Sequence, residues 1–493
     1  MSLINISNLT FAYEGSFDNI FENVSFQIDT DWRLGFTGRN GRGKTTFLNL
    51  LLGKYEYQGS ISSSAGFEYF PFEVADKSRD TIDVVGEIIR DSPFWELQRE
   101  LSILEVSDDV LYRSFSSLSN GEQTKVLLAA LFQKENRFLL IDEPTNHLDM
   151  EARKLVSAYL NRKKGFILVS HDRSFLDSCV DHILSINKTN IEIQKGNFSS
   201  WWNNKQDQDR YELAENERLK KDMNRLKAAS KRALEWSEKV EKTKNGTKNS
   251  GIKPDKGYVG HKAAKMMKRS KSIESRQEAA AEEKAKLLKN VEAAEALKIT
   301  PLEYHANRLV RAEKLSVFYG SKKVAGDISF TIEQGDRIAV CGRNGCGKSS
   351  LLKLILGEEI AFTGTLQRGS NLVISYVSQD TSFLNGDLTR FAEEYHLEES
   401  LFKAILRKLD FSRAQFEKNM EDYSGGQKKK VLLAKSLCEK AHLYVWDEPL
   451  NFIDVFSRMQ IEQLLRQSGA TVLFVEHDRS FADEVATKTV LLS

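Results

Sequence analysis

The sequence GRNGRGKTT, residues 38–46, follows an apolar run at residues 34–36 and precedes a segment whose apolar residues recur with helical spacing. It matches the pattern G-x-x-x-x-G-K-[ST], in which backbone N–H groups and a helix N-terminus bind phosphate, the lysine reaches the terminal phosphates and the hydroxyl holds Mg²⁺. The pattern recurs 304 residues later as GRNGCGKSS, residues 342–350, again after a strand-like segment. One match could arise by chance, whereas two in the same context predict two phosphate-binding loops.

Length and composition limit the class of protein. A chain of 493 residues exceeds the about 100 to 200 residues of a typical domain, so we expect two or three domains. Its hydrophobic fraction of 41% suits folded globular domains, and no apolar run approaches the roughly 18 residues of a membrane-spanning helix. The N-terminus has neither a basic start nor an apolar signal core, and the four cysteines lack C-x-x-C spacing. These features predict a cytoplasmic protein without structural disulfides.

The net charge of +1 conceals an uneven distribution along the chain. Residues 205–298 carry 25 Lys and Arg against 16 Asp and Glu, and within them residues 218–271 carry 18 against 5. Solvated helices usually mix charges of both signs, so an excess of this size favours a polyanionic partner. The middle of the chain is therefore the candidate nucleic-acid interface.

Two polar segments follow the first phosphate loop. LSNGEQTKVLLAALF, residues 118–132, reads as a turn that opens a helix, which is a natural anion site. FLLIDEP, residues 138–144, reads as a buried strand that ends in Asp142 and Glu143. Adjacent carboxylates at the end of a parallel strand can hold Mg²⁺ and orient an attacking water. A further strand ends at His171, whose place after a phosphate loop and a carboxylate pair makes it a candidate site residue.

The second half repeats these segments at nearly the same spacing. The interval between the serine of the polar turn and the aspartate at the strand end is 23 residues in both halves. The corresponding residues of the second half are Ser424, Asp447, Glu448 and His477. We interpret the chain as a tandem duplication of one nucleotide-binding domain. The predicted domains are residues 1–200 and 305–493, with a linker at 201–304.

An aromatic residue precedes each phosphate loop. Tyr13 lies 31 residues before Lys44, and Tyr319 lies 29 residues before Lys348. Either could be an ordinary turn aromatic or a platform that stacks on an adenine ring, and the repeated position favours the adenine role.

The linker has the composition of two long helices. Residues 201–240 and 261–298 contain no proline, little glycine and abundant Ala, Leu, Lys and Glu. Each has an apolar seam of approximately heptad spacing, and pairing the two seams would bury both. Glycines and a proline in residues 241–260 allow the chain to reverse. The linker is thus predicted to be an antiparallel α-helical hairpin with a flexible basic tip.

The tip combines cations with an aromatic residue. This combination suits phosphate contact and stacking on exposed RNA bases. The candidate RNA-binding residues are Lys248, Lys253, Tyr258, Lys262, Lys265, Lys268 and Arg269.

Several motifs together resemble the ATP-binding cassette (ABC) superfamily. They are the phosphate loops, the LSNGE and YSGGQ turns (residues 118–122 and 423–427), the strands ending in Asp-Glu-Pro, and the NHLD and NFID segments (residues 146–149 and 451–454). Two such domains joined by a basic helical linker, without membrane segments, resemble the ABC-F group of ribosome-associated ATPases. The stretches GHKAAKMMKRSK (residues 260–271) and WDEPLNFID (residues 446–454) are similar to the ABC-F proteins that protect Gram-positive ribosomes from lincosamides, streptogramin A and pleuromutilins.

The resemblance implies an α/β fold of two tandem ABC-type P-loop domains with two composite ATP sites. Each site combines the phosphate loop of one domain with the signature turn (LSNGE or YSGGQ) of the other, and we number it by the domain that supplies the phosphate loop. In each site the strand-end Asp would hold Mg²⁺, the following Glu would polarise the attacking water, and the later His would contact the γ-phosphate. The residues implied to be catalytic are Glu143 and His171 in site 1, and Glu448 and His477 in site 2.

The resemblance also implies the residues that bind ATP and Mg²⁺. Those that would bind the nucleotide in site 1 are Tyr13, Gly38, Asn40, Gly41, Gly43, Lys44, Thr45, Thr46, Ser424, Gly425, Gly426 and Gln427. Those in site 2 are Tyr319, Gly342, Asn344, Gly345, Gly347, Lys348, Ser349, Ser350, Gln379, Ser119, Gly121 and Glu122. The implied metal ligands are Thr45 and Asp142 in site 1, and Ser349, Asp447 and Gln379 in site 2.

Two positions depart from the family pattern. Asn120 replaces the first glycine of the signature turn, which adds bulk beside a phosphate. Phe72 stands where the family usually has a Gln that contacts Mg²⁺, whereas the second half keeps Gln379. We therefore expect the two ATP sites to be unequal.

The resemblance implies that ATP closes the two domains and that hydrolysis reopens them. The closed protein would dock in the ribosomal exit-tRNA site, with large-subunit rRNA and the peptidyl-site tRNA as partners. It would act as a monomer whose domains pair within one chain, without a membrane permease and without DNA. A housekeeping ABC-F translation factor is an alternative, distinguished by drug phenotype. The ATPase component of a transporter and a DNA-repair ATPase are further alternatives, distinguished by a stable permease partner and by duplex DNA binding.

Overall fold

The computed structural model describes residues 2–14, 19–89, 93–146, 148–186, 191–242, 297–320 and 322–492, together with short helical pieces between residues 257 and 276. The chain divides into two compact units. The first unit combines Met1–Ser199 with Ala294–Ser493, and the second is Ser200–Ala293. Within the described part of the chain, we find no helix with the length and apolar character needed to span a bilayer.

The first half of the chain forms two sheets. Its strands are β1 (Leu3–Phe11), β2 (Phe21–Asp29), β3 (Arg33–Thr37), β4 (Gln58–Ser62), β5 (Gly66–Phe70), β6 (Arg137–Asp142), β7 (Phe166–Val169), β8 (His182–Ile186) and β9 (Ile191–Lys195). A six-stranded sheet has the order β5-β6-β7-β3-β8-β9 and is parallel except for the last pair. Strands β6 and β7 are nearly continuous apolar runs, as expected for parallel strands that are buried on both faces. A three-stranded antiparallel sheet, β2-β1-β4, completes the half.

The second half repeats this arrangement. Its strands are β10 (Arg308–Tyr319), β11 (Lys322–Glu333), β12 (Arg337–Cys341), β13 (Ala361–Arg368), β14 (Ile374–Val377), β15 (Leu443–Asp447), β16 (Val472–Val475) and β17 (Lys488–Leu491). A parallel five-stranded sheet has the order β14-β15-β16-β12-β17, and an antiparallel sheet has the order β11-β10-β13. The prediction of two tandem α/β domains is confirmed.

Helices cover the parallel sheets. In the first half they are α1 (Lys44–Leu51), α2 (Thr81–Ile88), α3 (Phe94–Ile103), α4 (Asn120–Leu131), α5 (Met150–Asn161) and α6 (Arg173–Cys179). Helix α7 (Phe198–Lys242) follows. In the second half they are α8 (Lys348–Leu356), α9 (Leu388–Glu394), α10 (Glu399–Lys408), α11 (Arg413–Phe416), α12 (Gly425–Cys438), α13 (Val455–Ser468) and α14 (Arg479–Val485). Helices α1 and α8 bury their apolar faces in the cores of their own domains.

Strand register gathers the predicted site residues at one edge of each sheet. In the first domain β7 lies between β3 and β6, with Val169 opposite both Phe36 and Asp142. In the second domain β16 lies between β12 and β15, with Val475 opposite Val340 and Asp447. The phosphate loop, the acidic pair and the histidine all follow these strand ends, so they meet at the carboxyl edge of each sheet, where α/β proteins bind ligands.

Helix α7 supplies most of the described part of the second unit. Its 45 residues contain neither proline nor glycine and correspond to a length of about 67 Å at about 1.5 Å per residue. The helix predicted for residues 201–240 is thus present. The predicted turn at 241–260 and the second helix at 261–298 lie largely outside the described residues, and the hairpin stays a prediction.

Of the candidate RNA-binding residues, the structure describes Lys265 and Lys268. Both are helical and exposed, as contact with a polyanion would require. The others lie outside the described residues and are Lys248, Lys253, Tyr258, Lys262 and Arg269.

Candidate functional site

Each phosphate loop joins a central strand of the sheet to a helix that begins at its lysine, Lys44 in α1 or Lys348 in α8. The preceding residues, Gly43 and Gly347, have φ angles of 92° and 90°. This left-handed conformation favours glycine. A Cβ atom on Gly43 would also lie only 2.5 Å from the Ile20 side chain. The backbone conformation therefore favours glycine before each lysine, and the packing against Ile20 also requires it at Gly43.

The two lysines fold back over their loops. Lys44 Nζ donates to the carbonyl oxygens of Gly38 and Arg39, at 2.7 and 3.2 Å. Lys348 Nζ donates to the two equivalent carbonyl oxygens, both at 2.9 Å. Burial lowers the pKa of Lys44, and the negative charge of Asp454 from the second domain opposes that shift most strongly. Each lysine thus places its amino group inside the loop that is predicted to bind phosphate.

The strand-end aspartates lie beside the hydroxyl residues that were predicted to share the metal. Asp142 Oδ2 accepts from Thr45 Oγ1 at 3.3 Å and from the hydroxyl of Tyr69 at 2.9 Å. Burial raises the pKa of Asp142 and of Asp447, and the Ser349 hydroxyl opposes this shift at Asp447.

Asp447 also provides a test of whether the residues fit a metal ion. Its Oδ1 atom is buried and has no hydrogen-bond partner among the described residues. A buried polar atom without a partner is costly, and a carboxylate beside a hydroxyl is a ligand set that Mg²⁺ accepts. The residues therefore fit Mg²⁺, which when bound would neutralise phosphate charge.

The two glutamates that follow the aspartates have nearly identical backbone conformations. Glu143 and Glu448 adopt φ angles of 49° and 48°. Glu143 Oε1 lies 3.3 Å from Nε2 of His171, and Glu448 Oε1 lies 3.4 Å from Nε2 of His477. Positive φ is uncommon for residues other than glycine and is concentrated at functional sites. The repeated geometry places each carboxyl group beside its histidine, but Glu143 Oε1 is buried without a hydrogen-bond partner among the described residues.

The surroundings of the two glutamates differ. Glu448 Oε2 accepts from Gln379 Nε2 at 2.9 Å and from Asn451 Nδ2 at 2.5 Å. Burial opposes ionisation of Glu448, but the hydrogen bond from His477 and nearby positive charge lower its pKa overall. Burial, together with the charge of Asp142, raises the pKa of Glu143 to about 8. The carboxylate form is thus favoured in site 2 and disfavoured in site 1.

Each signature turn caps the helix that follows it. Ser119 Oγ accepts from the N–H of Glu122, and the N–H of Ser119 donates to Glu122 Oε2 at 2.8 Å. Ser424 and Gln427 form the same capping box at the start of α12. Two of the side chains assigned to nucleotide binding, Glu122 and Gln427, therefore also hold the helix N-termini in place.

Site 2 is a cavity of about 850 Å³ between the two domains. Of the residues predicted for this site, those that line the cavity are Ser119, Gly121, Glu122, Asn344, Gly345, Gly347, Lys348, Ser349, Ser350, Gln379, Glu448 and His477. Asn120 lines it as well. The first domain's signature turn thus faces the second domain's phosphate loop. Tyr319, Gly342 and Asp447 are not among the residues that line the cavity.

Site 1 has a smaller cavity of about 350 Å³, and all of its lining residues belong to the first domain. The predicted residues that line it are Tyr13, Asn40, Gly41, Gly43, Lys44, Thr45, Thr46, Asp142, Glu143 and His171. Gly38 and the signature residues Ser424, Gly425, Gly426 and Gln427 do not line it. Instead, a Cβ atom on Gly426 would lie 3.4 Å from Asn40 Nδ2, so this signature turn packs against the phosphate loop itself.

The two aromatic residues predicted to stack on adenine are both partly exposed, Tyr13 at 43% and Tyr319 at 51%. The hydroxyl of Tyr13 hydrogen-bonds to Thr46 Oγ1 at 2.8 Å, and its ring packs edge to face against Tyr55 at 5.7 Å. Tyr13 is thus tied to its phosphate loop.

Sequence reasoning missed three residues of these sites. Tyr69 donates to Asp142, Asn451 donates to Glu448, and Tyr55 packs on Tyr13. A signal for Tyr69 was present, because Tyr376 holds the same place in the second half. Burial raises the pKa of Tyr376, as does the charge of Asp447.

Comparison with protein families identifies both halves of the chain. The family model described as ABC transporter matches residues 21–146 and 325–451. These two segments contain both phosphate loops and both acidic pairs.

The relatives that match along nearly the whole chain include two proteins of Bacillus subtilis. The chain is 29% identical over 509 residues to the ribosome protection protein VmlR of Bacillus subtilis (strain 168), covering 100% of this chain and 87% of VmlR. It is 28% identical over 549 residues to YkpA of the same strain, named as an uncharacterized ABC transporter ATP-binding protein, covering 99% of this chain and 94% of YkpA.

A solved structure shares the fold. The archaeal ribosome recycling factor aABCE1, crystallised with the stalk protein aP1, superposes with a TM-score of 0.62 at 18% identity. The likeness covers 98% of this chain and 87% of that one.

Proposed function

Because this chain belongs to the ABC transporter family and is an ATP hydrolase, we propose that it is an ABC-F protein that uses ATP-driven domain closure to displace antibiotics from the ribosome. The observation that carries the proposal is the similarity to a ribosome protection protein over 100% of this chain. This similarity includes the linker, whereas a match to the ATPase domains alone would leave the linker out.

The proposed partner is the ribosome, with large-subunit rRNA and the peptidyl-site tRNA in contact with the closed protein. The protein binds in the exit-tRNA site, and its linker reaches towards the peptidyl-transferase region and dislodges lincosamides, streptogramin A and pleuromutilins. The excess positive charge of residues 205–298 supports a polyanionic partner. The protein acts in the cytoplasm. Residues from both domains of the one chain line site 2, which supports action as a monomer.

In this proposal catalysis depends on positioning and charge. Glu448 accepts a proton from the water that attacks the terminal phosphate, and His477 and Gln379 hold its carboxylate in place. Lys348 offsets the negative charge that develops on the phosphate oxygens, and the signature turn of the first domain closes over the nucleotide. Glu143, His171 and Lys44 hold the equivalent places in site 1, where the raised pKa of Glu143 leaves less of it in the carboxylate form that accepts a proton.

The test is cell-free translation on ribosomes from a susceptible Gram-positive bacterium, inhibited by a lincosamide, a streptogramin A or a pleuromutilin. We expect the wild-type protein with ATP to restore translation. The Glu143→Gln/Glu448→Gln variant keeps the shape of both side chains but removes the proton acceptors. It should therefore remain bound to sedimented ribosomes with ATP and should not restore multiple rounds of translation.

Three outcomes discriminate between the candidates. Restoration against at least one drug that depends on Glu143 and Glu448 supports the proposal. Ribosome binding without protection from any of the three drugs would favour a housekeeping translation factor. Absence of ATP-dependent ribosome binding, together with stable capture of a membrane permease, would favour a transporter ATPase.

A further inference from the structure

The same arginine occupies the second position of both phosphate loops, but its surroundings differ between the two sites. Arg39 in site 1 is buried, with a side chain 8% exposed, whereas the side chain of Arg343 in site 2 is 77% exposed. The two loops share the sequence GRNG, so the difference does not arise from local sequence. It arises from what the opposite domain presents to each loop.

Arg39 contacts two side chains of the second domain. Its guanidinium carbon lies 5.6 Å from the ring centroid of Phe456, in α13. Its Nη1 atom lies 3.8 Å from Oδ2 of Asp410. A desolvated guanidinium over an aromatic face, with a carboxylate nearby, is a favourable arrangement for arginine. Arg39 therefore binds across the domain interface.

The neighbouring residue reinforces this contact. Asn40 Nδ2 donates to the carbonyl oxygen of Phe452 at 3.0 Å. A Cβ atom on Gly426 would lie 2.4 Å from that same carbonyl oxygen. The phosphate loop of site 1 and the signature turn of the second domain thus meet through Phe452, and a side chain at position 426 would separate them.

Arg343 meets different side chains at the equivalent places. It pairs with Glu151 at 3.1 Å, and the Glu151 side chain is 71% exposed. Glu151 corresponds to Phe456, because each stands two residues after the aspartate that caps its helix. Glu105 corresponds to Asp410, since both follow a helix with positive φ, and Glu105 lines the cavity of site 2. An exposed ion pair of this kind contributes little in water.

We propose that Arg39, Phe456 and Asp410 form an arginine clamp that positions the second domain on site 1, so that site 1 releases bound nucleotide more slowly than site 2. The clamp acts in trans, because the arginine belongs to one domain and its partners to the other. Site 2, which has the larger cavity, lined by residues of both domains, then exchanges its nucleotide first. The proposal depends on ATP binding by the two domains and not on the ribosomal role.

The test measures nucleotide release from the Glu143→Gln/Glu448→Gln protein, in which hydrolysis does not interfere. The protein is loaded with a fluorescent ATP analogue and Mg²⁺, and release is followed after addition of excess unlabelled ATP. We expect two phases. A Lys44→Ala variant should remove the slow phase and a Lys348→Ala variant the fast phase, which assigns each phase to a site.

Three variants then probe the clamp. Arg39→Ala should accelerate the slow phase about tenfold, the scale of a desolvated cation–π contact with its ion pair. Phe456→Leu and Asp410→Asn should each accelerate it about threefold, although they leave the phosphate loop unchanged. Arg343→Ala is the matched control, and we expect it to change the slow phase less than twofold. Thermal melting of each variant verifies that it is folded.

A transfer experiment sharpens the test. Glu151→Phe places a ring opposite Arg343 and should slow the fast phase, because site 2 would gain the contact that site 1 has. A slow phase that changes in Arg39→Ala but not in Phe456→Leu or Asp410→Asn would overturn the clamp, since Arg39 would then act within its own loop. A single release phase in the parent protein would overturn it as well. Both results would decide whether the clamp exists, whether or not the protein protects ribosomes.

Discussion

The side-chain amide of Gln379 donates to the carboxylate of Glu448 at 2.9 Å, and Phe72, which cannot donate such a bond, holds the corresponding place in the first domain. Glu448 Oε2 therefore accepts from two amide donors, Gln379 and Asn451. Glu143 faces His171 at 3.3 Å. The glutamate of site 2 is thus held by more hydrogen bonds than the glutamate of site 1.

Single glutamate variants should consequently differ in residual ATPase activity. Glu448→Gln removes the carboxylate with more hydrogen-bond donors and should lower steady-state ATPase several-fold more than Glu143→Gln. A coupled phosphate-release assay at saturating ATP measures both rates. Gln379→Ala tests whether the hydrogen bond to Glu448 causes the difference. It should lower the ATPase activity of the wild-type protein but lower that of Glu448→Gln little further. Equal ATPase rates for Glu448→Gln and Glu143→Gln would contradict the predicted asymmetry of the two sites.

Breaking the buried ion pair between Lys430 and Asp454 should destabilise the second domain. The two side chains lie 3.0 Å apart and are 4% and 0% exposed. Asp454→Asn retains an N-cap for α13 but leaves Lys430 buried without its partner, which costs about 3 kcal/mol. We expect a lower midpoint in urea unfolding. The Lys430→Met/Asp454→Asn double variant should be less destabilised than Asp454→Asn, and the opposite order would contradict this account.

The same pair has a predictable pH dependence. Burial disfavours the ionised form of Asp454, but the charge of Lys430 and the N–H of Ser457 lower its pKa overall. A carboxyl whose pKa is lower in the folded state contributes its full stability above the unfolded value, about 3.9, and loses it as the pH falls through the folded value. The difference in unfolding free energy between wild type and Asp454→Asn should be constant from about pH 6 to 8 and shrink below about pH 4. A constant difference down to pH 3 would show that charge is not its source.

Tyr13 should contribute to ATP binding through its ring more than through its hydroxyl. Tyr13→Ala should weaken binding at site 1 about tenfold, the scale of one base stacked on an aromatic ring. Tyr13→Phe loses only the hydrogen bond to Thr46 and should weaken it less than about threefold. Binding is measured by titration in a Lys348→Ala background, which isolates site 1. Equal losses in the two variants would indicate that the hydroxyl, rather than the ring, carries the interaction.

The linker tip should be needed for protection but not for ATP hydrolysis. Deleting residues 251–258 leaves both phosphate loops and both acidic pairs intact, so basal ATPase should stay within about twofold of wild type. The same deletion should abolish drug resistance in a susceptible Gram-positive host. Inhibitory concentrations and ATPase rates are measured on the same variant. Unchanged resistance would show that the tip is not required.

The sequence alone was sufficient for the fold class and for the identity of most candidate site residues. Phosphate binding needs glycines, a lysine and a hydroxyl within one short loop, so residues adjacent in the sequence are enough to predict it. The acidic pairs and histidines follow apolar strands, and the duplication confirmed that the two halves share one plan. The capping boxes at Ser119 and Ser424 were also readable, because S-x-x-E and S-x-x-Q patterns act within one helical turn.

Only the tertiary structure decided how the two sites differ. Arg39 and Arg343 stand in identical GRNG loops, but one is buried against Phe456 and the other pairs with Glu151 in solvent. Glu143 and Glu448 follow equivalent strands, but their pKa values shift in opposite directions. Burial and the charge of neighbouring groups set these properties, and the neighbours of Arg39 lie about 400 residues away in sequence. The motif therefore specifies which groups are present, whereas the domain interface determines how strongly each is held.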